Sequence, residues 1–172
     1  KKVIQLTKCD AIKLEGGKKV VNIIKHITKK GIPVIGHIGL LPQTATTFKV
    51  KGRTKLEKSN ILKDAIAVSN SGACAIIIEC VVDELAKIIT KKIKIPTIGI
   101  GASKNCDGQI LVTDDMLGLT DFSPKFVKKY VNLNKIIKTS VKNFANDVKM
   151  KRFPFSKNVY KWKIVQSKHN TI

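Results

Sequence analysis

The run Ala11-Ile12-Lys13-Leu14-Glu15-Gly16-Gly17 alternates apolar and charged side chains and then stops on two glycines. Read as a strand from Ala11 to Glu15, it places Lys13 and Glu15 on the same face. Their backbones are then roughly 6.5–7 Å apart, two residues at ~3.3 Å each. An ammonium and a carboxylate so spaced can address two parts of one small ligand. The glycine pair is expected to turn the chain sharply and to leave open space above the strand end. An edge strand with its polar side toward water would look the same, so the neighbouring segments must decide.

Those segments repeat one theme. Lys1 to Thr7 reads as the end of a helix. Lys18 to Lys30 spaces Val20, Val21, Ile23, Ile24 and Ile27 for one helical face, and Gly31 and Pro33 lead into Val34-Ile35-Gly36-His37. A long loop from Leu40 to Gly52 precedes a helix from about Leu56 to Ser71. Ala73 to Ile78 is a short, wholly apolar strand that stops on Glu79. Asp83 to Lys92 is helical, Thr97 to Ala102 is a strand, and Ser103 to Gly108 turns into a last apolar segment, Gln109 to Val112. A helical piece is expected from Pro124 to Tyr130 and an amphipathic helix from Asn134 to Met150. Residues 1–152 form one domain in this reading. Residues 153–172, with Pro154, Tyr160, Trp162 and a frayed end from Ser167, form a tail.

Alternation of helices with strands that are apolar throughout means a parallel α/β sheet covered on both faces. A doubly wound sheet and a (β/α)8 barrel both fit. Lys13 and Glu15, His37, and Glu79 all fall at or just past the C-terminal ends of different strands. A barrel brings such ends to one mouth, whereas in an open sheet the ends far from the switch point stay apart. The barrel is therefore preferred. A full barrel takes about 250 residues, and only five strands are counted here, so the reading is an incomplete barrel of strands 4 to 8. Its unpaired edges should make the chain associate.

Composition narrows the class. The 172 residues are 43% hydrophobic, which supplies a core. The four cysteines (Cys9, Cys74, Cys80, Cys106) have no metal or disulfide spacing, and a reducing cytoplasm fits them. No segment reads as a membrane span or signal peptide. The net charge of +21 would ordinarily point to nucleic acid. Only Arg53 and Arg152 are arginines, however, and the lysines are scattered over every helix instead of forming a block. Solvated helix faces account for them, without specific nucleic acid or membrane binding.

Glu79 follows an apolar strand and precedes Cys80-Val81-Val82, the setting of a partly desolvated general base; pairing with a lysine is the structural alternative. Glu15 could be a hard-metal ligand, although Mg2+ wants further oxygens. His37, in Gly36-His37-Ile38-Gly39-Leu40, reads as a supporting residue that hydrogen-bonds close to the site, with the flanking glycines admitting a ligand. Gly99-Ile100-Gly101 lacks a phosphate-loop spacing and reads as tight packing at a strand end.

In order, the chain carries KLEGG, GIPVIGHIGLLPQ, KVKGR, IIIECV, IPTIGIGA and DGQILV, then Pro124-Lys125-Phe126-Val127 and Phe153-Pro154. This succession resembles ketopantoate hydroxymethyltransferase over residues 1 to about 160. The resemblance implies a (β/α)8 enzyme of pantothenate synthesis. Such an enzyme passes a hydroxymethyl group from 5,10-methylenetetrahydrofolate to 3-methyl-2-oxobutanoate, with Mg2+ stabilising the enolate, in a large homo-oligomer. By motif, Lys13 would contact the ketoacid, Glu15 would be associated with the metal, and Glu79 would be the proton acceptor. The family's two site aspartates and adjoining serine have no counterpart here. The Gly-Gly-aromatic insert before KVKGR is absent, Leu41 replaces a threonine, and Ser103 a common glycine. Two other readings compete. One is a Mg2+-dependent ketoacid barrel of the phosphoenolpyruvate mutase and isocitrate lyase type, whose catalytic cysteine or acidic loop is not found here. The other is a basic nucleic-acid-binding protein, which a salt-resistant DNA complex would support.

Overall fold

The computed structural model describes residues 2–121 and 123–161. Trp162 and the end from Ser167 lie outside the described residues. The chain forms two compact units, Lys1–Thr113 with Pro124–Lys128, and Asp114–Ser123 with Lys129–Ile172.

In the first unit, α1 (Lys2–Thr7) precedes β1 (Ile12–Glu15), and a 3-10 turn (Lys18–Val20) leads into α2 (Val21–Thr28). Then come β2 (Val34–Gly39), α3 (Lys55–Ser69), β3 (Ala75–Glu79), α4 (Asp83–Lys92), β4 (Thr97–Ile100) and β5 (Gly108–Gln109). The five strands are parallel and lie in sequence order, β1-β2-β3-β4-β5. That order has no reversal, hence no switch point of the doubly wound kind. It is the order that consecutive βα units take in a barrel.

Alternation assigns the faces. Leu14, Val34, Ile38, Ile76 and Ile78 point to one side. There they pack with Ile24 of α2, Ala65 and Val68 of α3, and Leu85, Ala86 and Ile89 of α4. Gly36 lies on this side too: a Cβ there would collide with Val68. The expectation that Gly36 admits a ligand is therefore corrected; it admits a helix. The opposite face carries Lys13, Glu15, His37, Ile77, Glu79, Ile98 and Ile100.

Local chemistry sets the helix starts. Thr54 accepts the Glu57 N–H at 3.1 Å, and the Glu57 carboxylate accepts the Arg53 N–H at 3.0 Å, a variant of the capping box. In α4, Asp83 and Glu84 stand in the first turn and Lys91 and Lys92 in the last, complementing the helix dipole.

Several expectations are corrected. The Gln109–Val112 strand shrinks to Gly108–Gln109. The ladder's last bond runs from the Ile110 N–H to the Gly99 carbonyl at 3.0 Å, and Ile110 and Val112 are exposed. In α2 only Ile24 is buried, and Ile23 faces outward, half exposed. The glycine pair after β1 leaves no open space: a Cβ on Gly17 would strike the Asp64 carboxylate, which accepts the Lys18 N–H at 2.9 Å, and one on Gly16 would press on Val20.

The second unit is built on α6 (Leu133–Lys149), capped by Asn132, whose side chain accepts the Lys135 N–H at 3.0 Å. No helix forms from Pro124 to Tyr130. The Val127 N–H closes a single turn onto the Pro124 carbonyl, and the Tyr130 N–H donates instead to the Met116 carbonyl at 2.9 Å. A short helix not foreseen from the sequence, α5 (Thr113–Met116), precedes this segment. Beyond α6, Arg152 pairs with Asp147 at 2.9 Å and the rings of Phe144 and Phe153 meet edge to face.

Candidate active site

β1, β2 and β3 end beside one another on the face that carries no helix. Glu15 and His37 are partners in register across β1 and β2, and Glu79 lies two residues past Ile77, the partner of His37 on β3. Strands ~4.8 Å apart with ~6.6 Å between like-facing residues bring these three side chains into one patch.

His37 is the best defined. It is 1% exposed, and its Nε2 lies 2.9 Å from the Leu40 carbonyl and 3.3 Å from Glu79 Oε2. A carbonyl only accepts, so Nε2 carries the hydrogen. Nδ1 is buried without a hydrogen-bond partner. The Nε2 hydrogen goes to the Leu40 carbonyl, and Glu79 Oε2 stands beside the same nitrogen at ion-pair distance. The backbone makes this arrangement durable. The Leu40 N–H donates to the Glu79 carbonyl at 2.9 Å, and Gly39, at φ +93°, lets the chain pass so close that a Cβ would collide with that carbonyl. The Lys51 N–H donates to the Cys80 carbonyl at 2.7 Å and the Val82 N–H to the Lys51 carbonyl at 3.1 Å, tying the loop after β2 to the end of β3.

Glu79 has a side chain 15% exposed, so it is partly desolvated yet reachable. Cys80 follows at φ +50°, and its thiol is pushed up by burial and then by the Glu79 charge. A thiol held in its protonated form is a poor nucleophile. Glu15 is half-buried, and its Oε2 accepts the Gln43 N–H at 3.1 Å. Lys13 is exposed on the same face, one row nearer the N-terminal ends, in register with Ile35.

Of the residues singled out from the sequence, Glu15, His37 and Glu79 are therefore brought together, and Lys13 shares their face. The sequence reading missed the roles of Leu40 and Gln43, whose backbone groups fix His37 and Glu15. Main-chain donors and acceptors carry no side-chain signal.

A hard dication prefers several oxygen donors. Among the described residues no group of three or more His, Cys, Asp or Glu side chains gathers to hold a metal ion. Glu15 is a single carboxylate already turned to a backbone N–H. The donors present do not fit a Mg2+ site.

The family model described as ketopantoate hydroxymethyltransferase matches residues 1–156. Proteins named 3-methyl-2-oxobutanoate hydroxymethyltransferase are similar to the chain. The one from Pelagibacter ubique is 53% identical over 160 residues, which are 93% of this chain and 62% of that protein. That from Rhizobium etli is 48% identical over 93% of this chain and 60% of its own length, and that from Maricaulis maris 47% over 94% and 59%. The chain thus spans about 60% of the length of these relatives. With charged strand ends converging on one face and a match that runs through all five strands, the chain belongs to the ketopantoate hydroxymethyltransferase family.

Proposed function

We propose that the chain carries the proton-abstracting and ketoacid-holding part of a hydroxymethyltransferase site. The reaction would be that in the relatives' name, with 3-methyl-2-oxobutanoate as acceptor and 5,10-methylenetetrahydrofolate as one-carbon donor. The observation that supports it most is the Glu79 carboxylate, partly desolvated at a strand end with its Oε2 3.3 Å from His37 Nε2. In this reading Glu79 removes the proton from C3 of the ketoacid, and the electron pair of that C–H bond becomes the enolate. Water adds to the donor's methylene carbon as its C–N bonds break, releasing tetrahydrofolate and formaldehyde; the enolate carbon then bonds to that carbonyl carbon, whose oxygen takes a proton to become the hydroxyl of 2-dehydropantoate. Lys13 holds the ketoacid and opposes its negative charge. Glu15, fixed by the Gln43 N–H, borders the same patch. The Mg2+ expected from the resemblance has no fitting donor set among the described residues, so no step is assigned to it. A homo-oligomer would suit a sheet whose edges are β1 and β5. No helix among the described residues is long and apolar enough to cross a membrane.

The test is deuterium exchange at C3 of 3-methyl-2-oxobutanoate, which needs no folate. This chain alone should exchange barely above background. A chimera joining it to the part of the Pelagibacter relative outside the matched region should exchange readily. Glu79→Gln in that chimera should lower exchange ~10²-fold or more. Unchanged exchange would assign the base elsewhere.

A further inference from the structure

Among the described residues, three other than glycine have a left-handed backbone: Lys8, Cys80 and Lys151, at φ +52°, +50° and +54°. Lys8 and Lys151 are exposed and come just after α1 and α6, where this conformation is an ordinary way to end a helix. Cys80 is different. It is buried, it follows a strand, and the residue before it is the proposed base. Residues with a Cβ rarely adopt this region, and such a backbone persists only where its surroundings hold it.

Three segments hold it here. The peptide group before Cys80 is gripped twice: the Glu79 carbonyl accepts the Leu40 N–H at 2.9 Å, and the Cys80 N–H donates to the Ile100 carbonyl at 2.9 Å. The peptide group after it is gripped once, by the Lys51 N–H, which donates to the Cys80 carbonyl at 2.7 Å. Successive residues of an extended strand point to opposite faces. The left-handed turn ends that alternation at Glu79. It carries the thiol to the border of a cavity shared with Gly101 and Gln109, near enough for the Glu79 charge to act on it. Resting on the function proposed above, we infer that Cys80 is a positioning residue: its turn, clamped by Leu40, Ile100 and Lys51, sets where the Glu79 carboxylate stands, and its sulfur takes no part in the chemistry. An extended residue at this place would carry β3 onward and pull the Glu79 carbonyl from Leu40, the residue whose own carbonyl holds His37.

The test uses C3 exchange in the chimera described above, with rates taken per folded molecule and the Tm of each variant measured alongside. Cys80→Gly adopts the turn freely and has no thiol, so it should keep kcat within about threefold of the parent. Cys80→Val, branched at Cβ, resists the turn. It should lower kcat about tenfold or more at nearly constant KM, since a small misplacement of a reacting group can cost ~10²-fold. A second pair of variants reads the distance to the base. Asn and Asp side chains both tolerate the turn and differ in charge. The other ionisable groups at this end, His37, Lys104 and Lys125, are the same in both variants. A second negative charge beside Glu79 makes the base harder to ionise. The acid limb of the exchange profile should therefore lie about half a pH unit or more higher in Cys80→Asp than in Cys80→Asn. The position of that limb does not depend on how much of either variant folds. Three results overturn the assignment: Cys80→Val exchanging as fast as Cys80→Gly, Cys80→Gly as slow as Cys80→Val, or profiles of Cys80→Asp and Cys80→Asn that superimpose. The function proposed above fails separately, through a Glu79→Gln variant that still exchanges.

Discussion

His37 Nε2 on β2 stands 3.3 Å from Glu79 Oε2 on β3 and 2.9 Å from the Leu40 carbonyl, so the nitrogen that donates to a backbone oxygen also stands beside the carboxylate proposed as base. His37 in this view positions Glu79 without touching substrate. In the chimera, His37→Ala should lower exchange about tenfold, the scale of losing a polar partner beside a charged group. His37→Gln can present its amide N–H near the Nε2 position and should recover much of that loss. A merely structural histidine would show no rescue, with Ala and Gln equally impaired and both melting lower. Equal rates for both variants at unchanged Tm would dismiss the positioning role.

Lys13 should act on ketoacid affinity. A charge-assisted contact to a carboxylate is made in ground state and transition state alike, so its loss raises KM and leaves kcat nearly constant. Lys13→Met is expected to raise KM for 3-methyl-2-oxobutanoate by about tenfold or more. A fall in kcat at constant KM would move Lys13 from binding to chemistry.

Mg2+ supplies a third prediction. With Glu15 as a lone carboxylate at this strand end and no cluster of three donors among the described residues, the 172-residue chain should not hold Mg2+ tightly. Millimolar Mg2+ should then leave its Tm unchanged, and Glu15→Gln should behave as the parent. A Mg2+-dependent rise in Tm that disappears in Glu15→Gln would show a metal site that these residues are not expected to make.

What the sequence made legible is what repeats locally. Ile76-Ile77-Ile78 is apolar on both faces, which marks a parallel strand, and the apolar run stops at Glu79, where β3 ends. Thr54 followed by Glu57 was an available capping signal for α3, three residues apart, although the helix was expected only from Leu56. The rest depends on distant contacts. Gly17 faces Asp64, 47 residues on by number, and Gly36 faces Val68, so neither glycine reveals from its neighbours whether it makes room for a ligand or for the protein itself. Ile110 and Val112 have strand composition, but a strand exists only where a partner ladder continues, and this one ends at Gly99. The His37–Glu79 contact needed register: His37 had been placed as a supporting residue, but which carboxylate it reached was set by β2–β3 pairing.

The last prediction concerns the joint between β4 and β5. Asp107 Oδ2 accepts the backbone N–H of Thr97 at 2.8 Å and the Thr97 hydroxyl at 2.9 Å, and Thr97 is fully buried. The N–H first, and the hydroxyl second, hold the Asp107 carboxyl below its usual range. Asp107→Ala strands a buried N–H, a loss of about 1–3 kcal/mol. The charge contribution itself should be small, because the Asp107 side chain is exposed and screened. Its sign is nevertheless fixed. A carboxylate whose folded pKa is lowered stabilises the fold fully above the unfolded value of about 3.9. That stabilisation fades as pH falls through the folded value, because the unfolded chain takes up the proton first. Asp107→Asn keeps an acceptor oxygen but no charge, so its Tm deficit against the parent should be largest near neutrality. It should narrow once the pH drops below about 4. A deficit that stays constant across this range would mean that the clamp works through its hydrogen bonds alone, with no part played by the charge.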